Sequence, residues 1–343
     1  MMKRLYIVTG AYGHLGNTIV RELCSRGESV RGFVMPNDPT NALEGLNFEM
    51  VKGDVCEMDD LEPLFFETEK FETIVIHTAG IVSIATKFDQ RVYDVNVNGT
   101  VNIIEQCKKN HVKRLIYVSS VHAIQEKPDK QLIRETNHFD PEVVVGLYAK
   151  TKAEATKRVL ESVKDGLDCV VVHPSGIGGP NDFGNGHFKQ LVMDFLNGSL
   201  TAFIKGGYDF VDVRDVSEGI LAAVDNGRTG ECYILSNRFI TVRELLNLLA
   251  EISGKKKLTT VLPLWFARFT APLSEWWYHL KKQKPLYTRY SLYTLGSNAN
   301  FSHRKADMEL GYTPRSMRKP LTDTIIFLEQ NESLGKPKKR NWR

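Results

Sequence analysis

The chain has 343 residues, of which 42% are hydrophobic and 25% are charged, and its formal net charge is +4. This length and composition predict a globular protein with a core of ample size, in one large domain or two smaller ones. The net charge is small and lies partly in a basic tail over 331–343, and no basic helix carries interleaved aromatic residues, so a nucleic-acid partner is not expected.

Cysteine usage and hydropathy indicate the cellular compartment of the protein and whether it spans a membrane. The five cysteines are widely spaced, odd in number and without a C-x-x-C pair, which predicts reduced core residues with neither disulfides nor a metal site. The amino terminus enters a strand with too few apolar residues for a signal peptide, and no apolar run is long enough to span a bilayer. We therefore predict a cytoplasmic protein without an integral membrane segment.

The first predicted element is a short strand over 3–8, which ends in the turn Thr9-Gly10-Ala11-Tyr12-Gly13-His14-Leu15-Gly16 and leads into an amphipathic helix. Glycines let a diphosphate approach the backbone, and the amino terminus of the helix offers amide groups and a positive dipole end. The Gly-x-x-Gly-x-x-Gly spacing is one residue longer in its first gap than the common dinucleotide fingerprint. Taken alone, the turn fits a dinucleotide site and an ordinary strand–helix connection about equally.

Strands and helices then alternate as far as residue 173. Further strands are predicted over 29–35, 48–51, 73–76, 114–118 and 168–173, and helices over 57–67, 92–109 and from 147 onward. This alternation predicts an α/β fold with a doubly wound parallel sheet of the Rossmann type, covered by helices on both faces.

Beyond residue 180 the alternation weakens. Strands are predicted over 210–213 and 232–235, and helices over 188–196, 216–224 (capped by Asp215), 242–252 (capped by Thr241), 265–280, 302–310 and 320–329. We expect a dinucleotide-binding domain over 1–180, to which 209–240 returns. A smaller, mostly helical substrate-binding region would comprise 181–208 and 241–330, followed by the tail over 331–343.

Two strand ends bear on a cofactor. The strand over 29–35 ends at Met35, with Asn37 and Asp38 just beyond, and this end does not decide between NAD and NADP. The strand over 73–76 runs into His77-Thr78-Ala79-Gly80, where small residues let a flat cofactor lie against the backbone.

The residues that could carry chemistry follow in the next strand and helix. Tyr148 and Lys152 are four residues apart and share one face of a helix, where an ammonium group would lower the pKa of the phenol. Ser119 or Ser120 supplies a hydroxyl at the carboxyl end of the preceding strand. A tyrosine that protonates a carbonyl, a serine that polarises it and a lysine that holds the ribose form a coherent hydride-transfer site. A tyrosine–lysine pair by itself is also typical of a packed aromatic ring beside a solvated charge.

The ordered set of motifs over residues 4 to about 240 resembles the extended short-chain dehydrogenase/reductase family. The motifs are Thr9-Gly-x-x-Gly-x-x-Gly16, Gly53-Asp54-Val55, His77-Thr78-Ala79, Asn96-x-Asn98-Gly99-Thr100, Val118-Ser119-Ser120, Tyr148-x-x-x-Lys152 and Pro174-Ser175-Gly176-Ile177-x-Gly179-Pro180. Within the family, Gly13-His14-Leu15-Gly16 and Val30-Arg31-x-x-Val34 look like the dihydroflavonol-reductase and 3β-hydroxysteroid-dehydrogenase branch.

The resemblance implies roles for particular residues. Ser120 aligns with the catalytic serine, beside Tyr148 and Lys152. Asp54 and Val55 would contact the adenine, although Asp54 also suits a turn that it satisfies by itself. The remaining implied cofactor contacts are the glycine turn (Gly10, Tyr12, Gly13, His14, Leu15, Gly16), the end of the fourth strand (Thr78, Ala79, Gly80) and, beside the nicotinamide, Pro174, Ser175, Gly176 and Ile177.

Two positions depart from relatives in the family. Met35 stands where dihydroflavonol reductases have the Arg that selects NADPH, so the preference between NAD and NADP is not carried over. Tyr208 occupies the place of the Arg with which nucleotide-sugar epimerases bind a diphosphate, which argues against a sugar-nucleotide substrate.

The aromatic segment over 262–280 is expected to form a helical lid over an apolar substrate pocket, and contact with a membrane surface is the alternative. The sequence predicts an NAD(P)-dependent oxidoreductase that acts on a ketone, aldehyde or secondary alcohol of an apolar small molecule, with Tyr148 as the acid–base group. The alternatives are a sugar-nucleotide epimerase or dehydratase that retains NAD, and a non-catalytic dinucleotide sensor. The resemblance allows a homodimer as well as a monomer.

Overall fold

The computed structural model describes residues 2–38, 42–83, 88–128, 131–184, 186–263, 265–267, 269 and 289–331. Its strands, in chain order, are β1 (Arg4–Thr9), β2 (Ser29–Val34), β3 (Glu49–Lys52), β4 (Glu72–His77), β5 (Arg114–Val118), β6 (Cys169–Pro174), β7 (Gly176–Gly178), β8 (Phe203–Ile204), β9 (Gly207–Asp212), β10 (Cys232–Leu235), β11 (Arg238–Thr241) and β12 (Val261–Leu262).

The α-helices are α1 (His14–Ser25), α2 (Met58–Leu61), α3 (Gln90–Tyr93), α4 (Gly99–Lys109), α5 (Leu147–Val163), α6 (His187–Leu196), α7 (Val213–Asn226), α8 (Val242–Ser253), α9 (Arg289–Gly296), α10 (Arg304–Leu310) and α11 (Arg318–Asn331). Among these described elements, no helix is both long and apolar enough to cross a membrane.

The central sheet has the strand order β10-β6-β5-β4-β1-β2-β3, and all of its neighbouring strands are parallel. Side chains alternate between its faces, so that Leu5 and Ile7 join one core cluster while Tyr6 and Val8 join the other. The doubly wound Rossmann sheet predicted from the sequence is therefore confirmed. Its order reverses between β1 and β4, the place where such sheets bind ligands beyond the strand ends.

Two smaller sheets and a third apolar cluster lie outside this sheet. β11, β9 and β7 form one small sheet, and β12 pairs with β8. Apolar residues of α6, α8 and α11 form the third cluster. Of the segment over 209–240 that was expected to return to the dinucleotide-binding domain, β10 joins the central sheet, whereas β9 belongs to the first small sheet.

Several predicted boundaries are wrong for identifiable reasons. The helix predicted over 57–67 ends at Leu61 and gives way to two 3₁₀ turns, because Pro63 cannot donate a helical hydrogen bond. The cap of α7 is Asp212, which accepts the Arg214 amide, and not Asp215, which lies in the first turn. The short strands β7, β8, β11 and β12 were not predicted.

Other predicted elements agree with the structure. The helix over 92–109 is present as α3 and α4 joined by a π-helical turn, Asp94–Asn98. Thr241 caps α8 as predicted and accepts the Glu244 amide at 3.1 Å. Most of the helix predicted over 265–280, and all of the tail beyond Asn331, lie outside the described residues.

Candidate active site

The residues predicted to bind a cofactor follow β1, β3, β4, β5 and β6, and so share the carboxyl edge of the sheet. The glycine turn lies at its centre. Gly10 has a φ of +66°, and a Cβ there would lie 2.8 Å from the Ala79 Cα atom, so a side chain would separate the turn from the end of β4. A Cβ on Gly16 would overlap the Gly10 carbonyl oxygen. Gly13 caps α1 without a side chain, so the first amides of the helix could hold a phosphate.

Three other members of the turn direct their side chains elsewhere. His14 donates from Nε2 to the Pro180 carbonyl at 2.8 Å, Leu15 is buried in the core, and the Tyr12 hydroxyl lies 3.7 Å from the Met50 sulfur. Burial lowers the pKa of His14, which keeps the ring neutral. The contribution that His14 and Leu15 could make to a cofactor is therefore through their backbone.

Asp54 stabilises its own turn. Its Oδ1 accepts the Cys56 amide at 3.0 Å, and its Oδ2 pairs with Arg91 at 2.5 Å. Burial opposes ionisation, but these hydrogen bonds prevail and lower the pKa of Asp54. The neighbouring Val55 is buried, with its side chain against Gly99. The adenine contact implied for both residues remains a prediction.

The segment after β4 lies close to Asn96. The Asn96 amide binds both the amide and the carbonyl of Ile81, at 2.8 and 3.1 Å, and donates to the Thr151 hydroxyl at 3.0 Å. The π-helical turn thus links this segment to α5. A Cβ on Gly80 would lie only 3.2 Å from Asn96 Oδ1 and 3.4 Å from Lys152 Nζ. Glycine therefore leaves space beside the Lys152 ammonium group.

Ser120 and Tyr148 meet at the end of β5. Both residues are buried, with relative exposures of 6% and 9%. Burial raises the pKa of Tyr148 to about 12, and a hydrogen bond with the Ser120 hydroxyl opposes this shift. Ser120 also accepts the His122 amide at 3.2 Å, which fixes the start of a short 3₁₀ turn, Val121–Ala123.

Lys152 does not depress the pKa of Tyr148 as expected. Its Nζ donates to the Val118 carbonyl at 2.8 Å and to the Tyr117 hydroxyl at 3.4 Å. Burial lowers the pKa of Lys152 to about 7, and its ammonium is not among the groups that shift Tyr148. The expectation is wrong because the lysine is bound at the end of β5 and both groups are deeply buried.

The buried carboxylate of Asp209 fixes the position of Ser175. Its hydroxyl donates to Asp209 Oδ1 at 2.6 Å, and the same oxygen accepts the Asn237 amide at 3.0 Å. Burial raises the pKa of Asp209 to about 6. Gly176 in β7 packs so tightly on Phe210 that a Cβ would lie 2.8 Å from that ring. The segment from Pro174 to Ile177 is thereby held at the carboxyl edge of the sheet.

His122 is a residue of the site that was not predicted from the sequence. Its ring lies edge-on to Tyr148, with the centroids 6.2 Å apart, and stacks on Tyr208. Its Nε2 atom lies 2.8 Å from the Tyr208 hydroxyl. A polar ring two residues after the serine pair was the available signal, but only the tertiary fold brings Tyr208 to it.

The chain is similar to known proteins over most of its length. The profile of the family described as "NAD dependent epimerase/dehydratase family" matches residues 6–236. "Sterol demethylase protein B" of Methylococcus capsulatus is 30% identical, over 94% of this chain and 98% of its own length. "Putative dihydroflavonol 4-reductase" of Synechocystis sp. is also 30% identical, over 96% of both chains.

A crystal structure of a protein designated gox2253 has the same fold. It superimposes with a TM-score of 0.82 at 30% identity and covers 95% of this chain and 98% of that one. The chain therefore belongs to the NAD-dependent epimerase/dehydratase family, among the extended short-chain dehydrogenases/reductases that use a nicotinamide dinucleotide cofactor.

Proposed function

We propose that this protein is an NAD(P)-dependent reductase that converts a ketone or aldehyde of an apolar small molecule into the alcohol, or catalyses the reverse oxidation. The observation that carries the proposal is that the buried residues Ser120 and Tyr148 lie together at the carboxyl edge of the sheet, with Lys152 one helical turn away. These three residues supply an acid, an orienting hydrogen bond and an amino group for the ribose within one buried site.

The residues of the chain would move one proton. Tyr148 would donate its phenolic proton to the substrate oxygen, and the Ser120 hydroxyl would orient and polarise that oxygen. A pKa of about 12 keeps Tyr148 protonated at neutral pH, and this is the form that reduction requires. Lys152, beside Gly80, would hold the ribose of the cofactor. When bound, the reduced nicotinamide supplies the hydride that the carbonyl carbon accepts.

The fit of such a cofactor rests on the glycine turn. Gly10 and Gly16 sit where any side chain would collide with neighbouring backbone, and the glycine cap leaves the first amides of α1 to other partners. These features suit a diphosphate.

An apolar substrate is favoured by two observations. Tyr208 stands where the family's nucleotide-sugar epimerases have a diphosphate-binding Arg, and its hydroxyl is bound to His122. Two similar proteins carry names that refer to a sterol and to a dihydroflavonol, which are both largely apolar ring systems. The preference between NAD and NADP stays open. The exposed Met35, directly after β2, offers neither a carboxylate for the ribose hydroxyls nor a guanidinium group for a 2′-phosphate.

The experiment is to measure oxidation of NADH and of NADPH, separately, with a panel of apolar aldehydes, ketosteroids and flavonoid ketones. We expect turnover with one cofactor, and a loss of kcat of about 10²–10⁴-fold in Tyr148→Phe, which lacks the proton donor. Tyr6→Phe, a core tyrosine near the amino end of β1, is the matched control and should retain activity.

Other outcomes identify other functions. If no carbonyl compound is reduced and the purified protein retains tightly bound NAD, a sugar-nucleotide epimerase or dehydratase becomes the better assignment. If Tyr148→Phe leaves every measurable activity unchanged, a dinucleotide sensor does.

A further inference from the structure

A stacked pair of rings connects the candidate catalytic residues to the small sheet. His122 stacks on Tyr208 with the centroids 5.5 Å apart and an interplanar angle of 17°, while its edge faces Tyr148 at 72°. Because His122 follows β5 and Tyr208 belongs to β9, the pair bridges the two sheets beside the Tyr148 phenol. The role of the pair is not explained by proton donation, which Tyr148 and Ser120 already provide.

Further aromatic residues continue from Tyr208. Its ring is edge-on to Phe210, with the centroids 5.8 Å apart, and edge-on to Phe301, with the centroids 6.4 Å apart. The polar atoms of the pair bind each other, since His122 Nε2 and the Tyr208 hydroxyl are 2.8 Å apart. Together these contacts make an aromatic surface whose hydrogen-bonding groups are already engaged.

The imidazole of His122 is also uncharged near neutral pH. Burial lowers the pKa of His122 to about 4, although the nearby Glu126 carboxylate acts in the opposite direction. A neutral imidazole and a phenol cannot offset the two negative charges of a diphosphate, whereas an Arg could pair with them. An apolar substrate face gains free energy when it leaves water for such a surface.

On the basis of the proposed function, we infer that His122 and Tyr208 form a specificity-determining wall of the substrate pocket. The wall packs against the apolar ring or chain next to the reacting carbonyl, and it disfavours substrates that carry a phosphate. Tyr208 thus determines the class of substrate, while Tyr148 performs the proton transfer.

The test compares Tyr208 variants in kinetics and in binding. With the best ketone of the panel, we expect Tyr208→Ala to raise KM about tenfold, with a smaller effect on kcat, because an apolar contact to the substrate is lost. Tyr208→Phe keeps the ring and should stay within about threefold of wild type. Phe239→Ala, an exposed aromatic residue in the same small sheet, is the control and should not change KM.

The second arm uses uridine diphosphate as the probe, added to protein saturated with its nicotinamide cofactor and followed by calorimetry. We expect no measurable binding to wild type and measurable binding to Tyr208→Arg, which should also lose ketone reduction. The binding measurement on wild type requires no variant. In the kinetic measurement, Tyr208→Leu replaces Tyr208→Ala if thermal unfolding shows that the alanine variant is unfolded.

The two hypotheses fail in different ways. The inferred role of His122 and Tyr208 is wrong if wild type turns over ketones and Tyr208→Ala has an unchanged KM. It is also wrong if uridine diphosphate binds wild type as tightly as Tyr208→Arg. Neither result contradicts the proposed reductase activity. A wild-type protein that reduces no carbonyl compound overturns the proposed function, and the wall with it.

Discussion

At the residue scale, burial outweighs the charge effects that spacing along a helix suggests. Tyr148 and Lys152 are one turn apart, and from sequence the ammonium should lower the pKa of the phenol. In the folded chain the pKa of Tyr148 rises to about 12 and that of Lys152 falls to about 7, in both cases through burial. Burial thereby shifts both equilibria toward the neutral form, and for Tyr148 this is the form that donates a proton.

The low pKa of Lys152 predicts a pH dependence of stability. An unfolded lysine titrates near a pKa of about 10.4, so between about pH 7 and pH 9.5 the unfolded chain binds more protons than the folded one. The free energy of unfolding should therefore rise with pH in this window, by up to about 1.4 kcal/mol per pH unit, relative to Lys152→Met. Denaturant titrations at several pH values measure this difference.

Lys157 is the matched control, because it is an exposed lysine on the same helix. Lys157→Met should keep the pH dependence of wild type. Parallel curves for wild type and Lys152→Met would contradict the prediction.

Variants of Asp54 distinguish its role in the turn from its implied contact with the adenine. Asp54→Ala removes the acceptor of the Cys56 amide and the partner of Arg91, and cofactor affinity should fall about tenfold. Asp54→Asn keeps the turn acceptor and should lose less. Titration of the reduced cofactor by fluorescence measures both, with the exposed Asp59→Ala as control. An unchanged affinity in Asp54→Ala would mean that the carboxylate serves only the turn.

At the element scale, the site depends on how the β1–α1 turn packs against the end of β4. The Ala79 amide donates to the Thr9 hydroxyl at 3.2 Å, and the Thr78 hydroxyl donates to the Thr9 carbonyl at 2.6 Å. Gly10 and Gly16 permit this packing, since side chains at either position would meet backbone atoms. The glycine spacing is therefore explained by contacts between elements as well as by room for a ligand.

Gly16→Ala should damage both the turn and the ligand site. Overpacking against the Gly10 carbonyl should lower the free energy of unfolding by about 1–3 kcal/mol and cofactor affinity at least about tenfold. Gly27→Ala is the control, because Gly27 has a φ of +74° and open space around it. Its left-handed strain should cost about 1–2 kcal/mol without any change in affinity. Equal affinities in the two variants would exclude a role of the turn in binding.

At the scale of the whole molecule, partly buried ion pairs attach the carboxyl-terminal part of the chain to the start of α7. Arg214 binds both carboxylate oxygens of Asp212, and its other amino group binds Asp323 of α11 at 2.6 Å. Arg315 similarly binds Asp215 of α7 at 2.6 Å. Asp215, which was expected to cap a helix, instead binds Arg315 in the segment that precedes α11.

Arg214→Met should destabilise the fold by about 3 kcal/mol, because Asp212 is fully buried and would lose its counter-charge. Arg228→Met removes a surface pair with Glu309 and should change the free energy of unfolding little. Denaturant unfolding of both variants tests the contrast. A stable Arg214→Met protein would show that Asp212 is satisfied without its arginine.

The periodicity of the sequence was sufficient to predict the alternation of the central strands and helices along the chain, because alternating β and α segments bury their apolar faces in a parallel sheet covered on both sides. The glycine turn, the pair Ser119 and Ser120, Tyr148 and Lys152 were likewise visible as residue types at characteristic spacings, and the family resemblance implied the choice of Ser120. Local rules failed where one residue changed the backbone, as Pro63 did in the predicted helix over 57–67.

Tertiary structure alone decided which distant groups share one environment. The pairing of His122 with Tyr208, 86 residues away, and the bond from Ser175 to Asp209 depend on the position of β9 beside the segments that follow β5 and β6. The protonation of Tyr148 and Lys152 depends on burial, which is a property of the packed fold and not of sequence spacing. Residue types therefore specified the chemistry, and packing decided the charges and neighbours with which that chemistry operates.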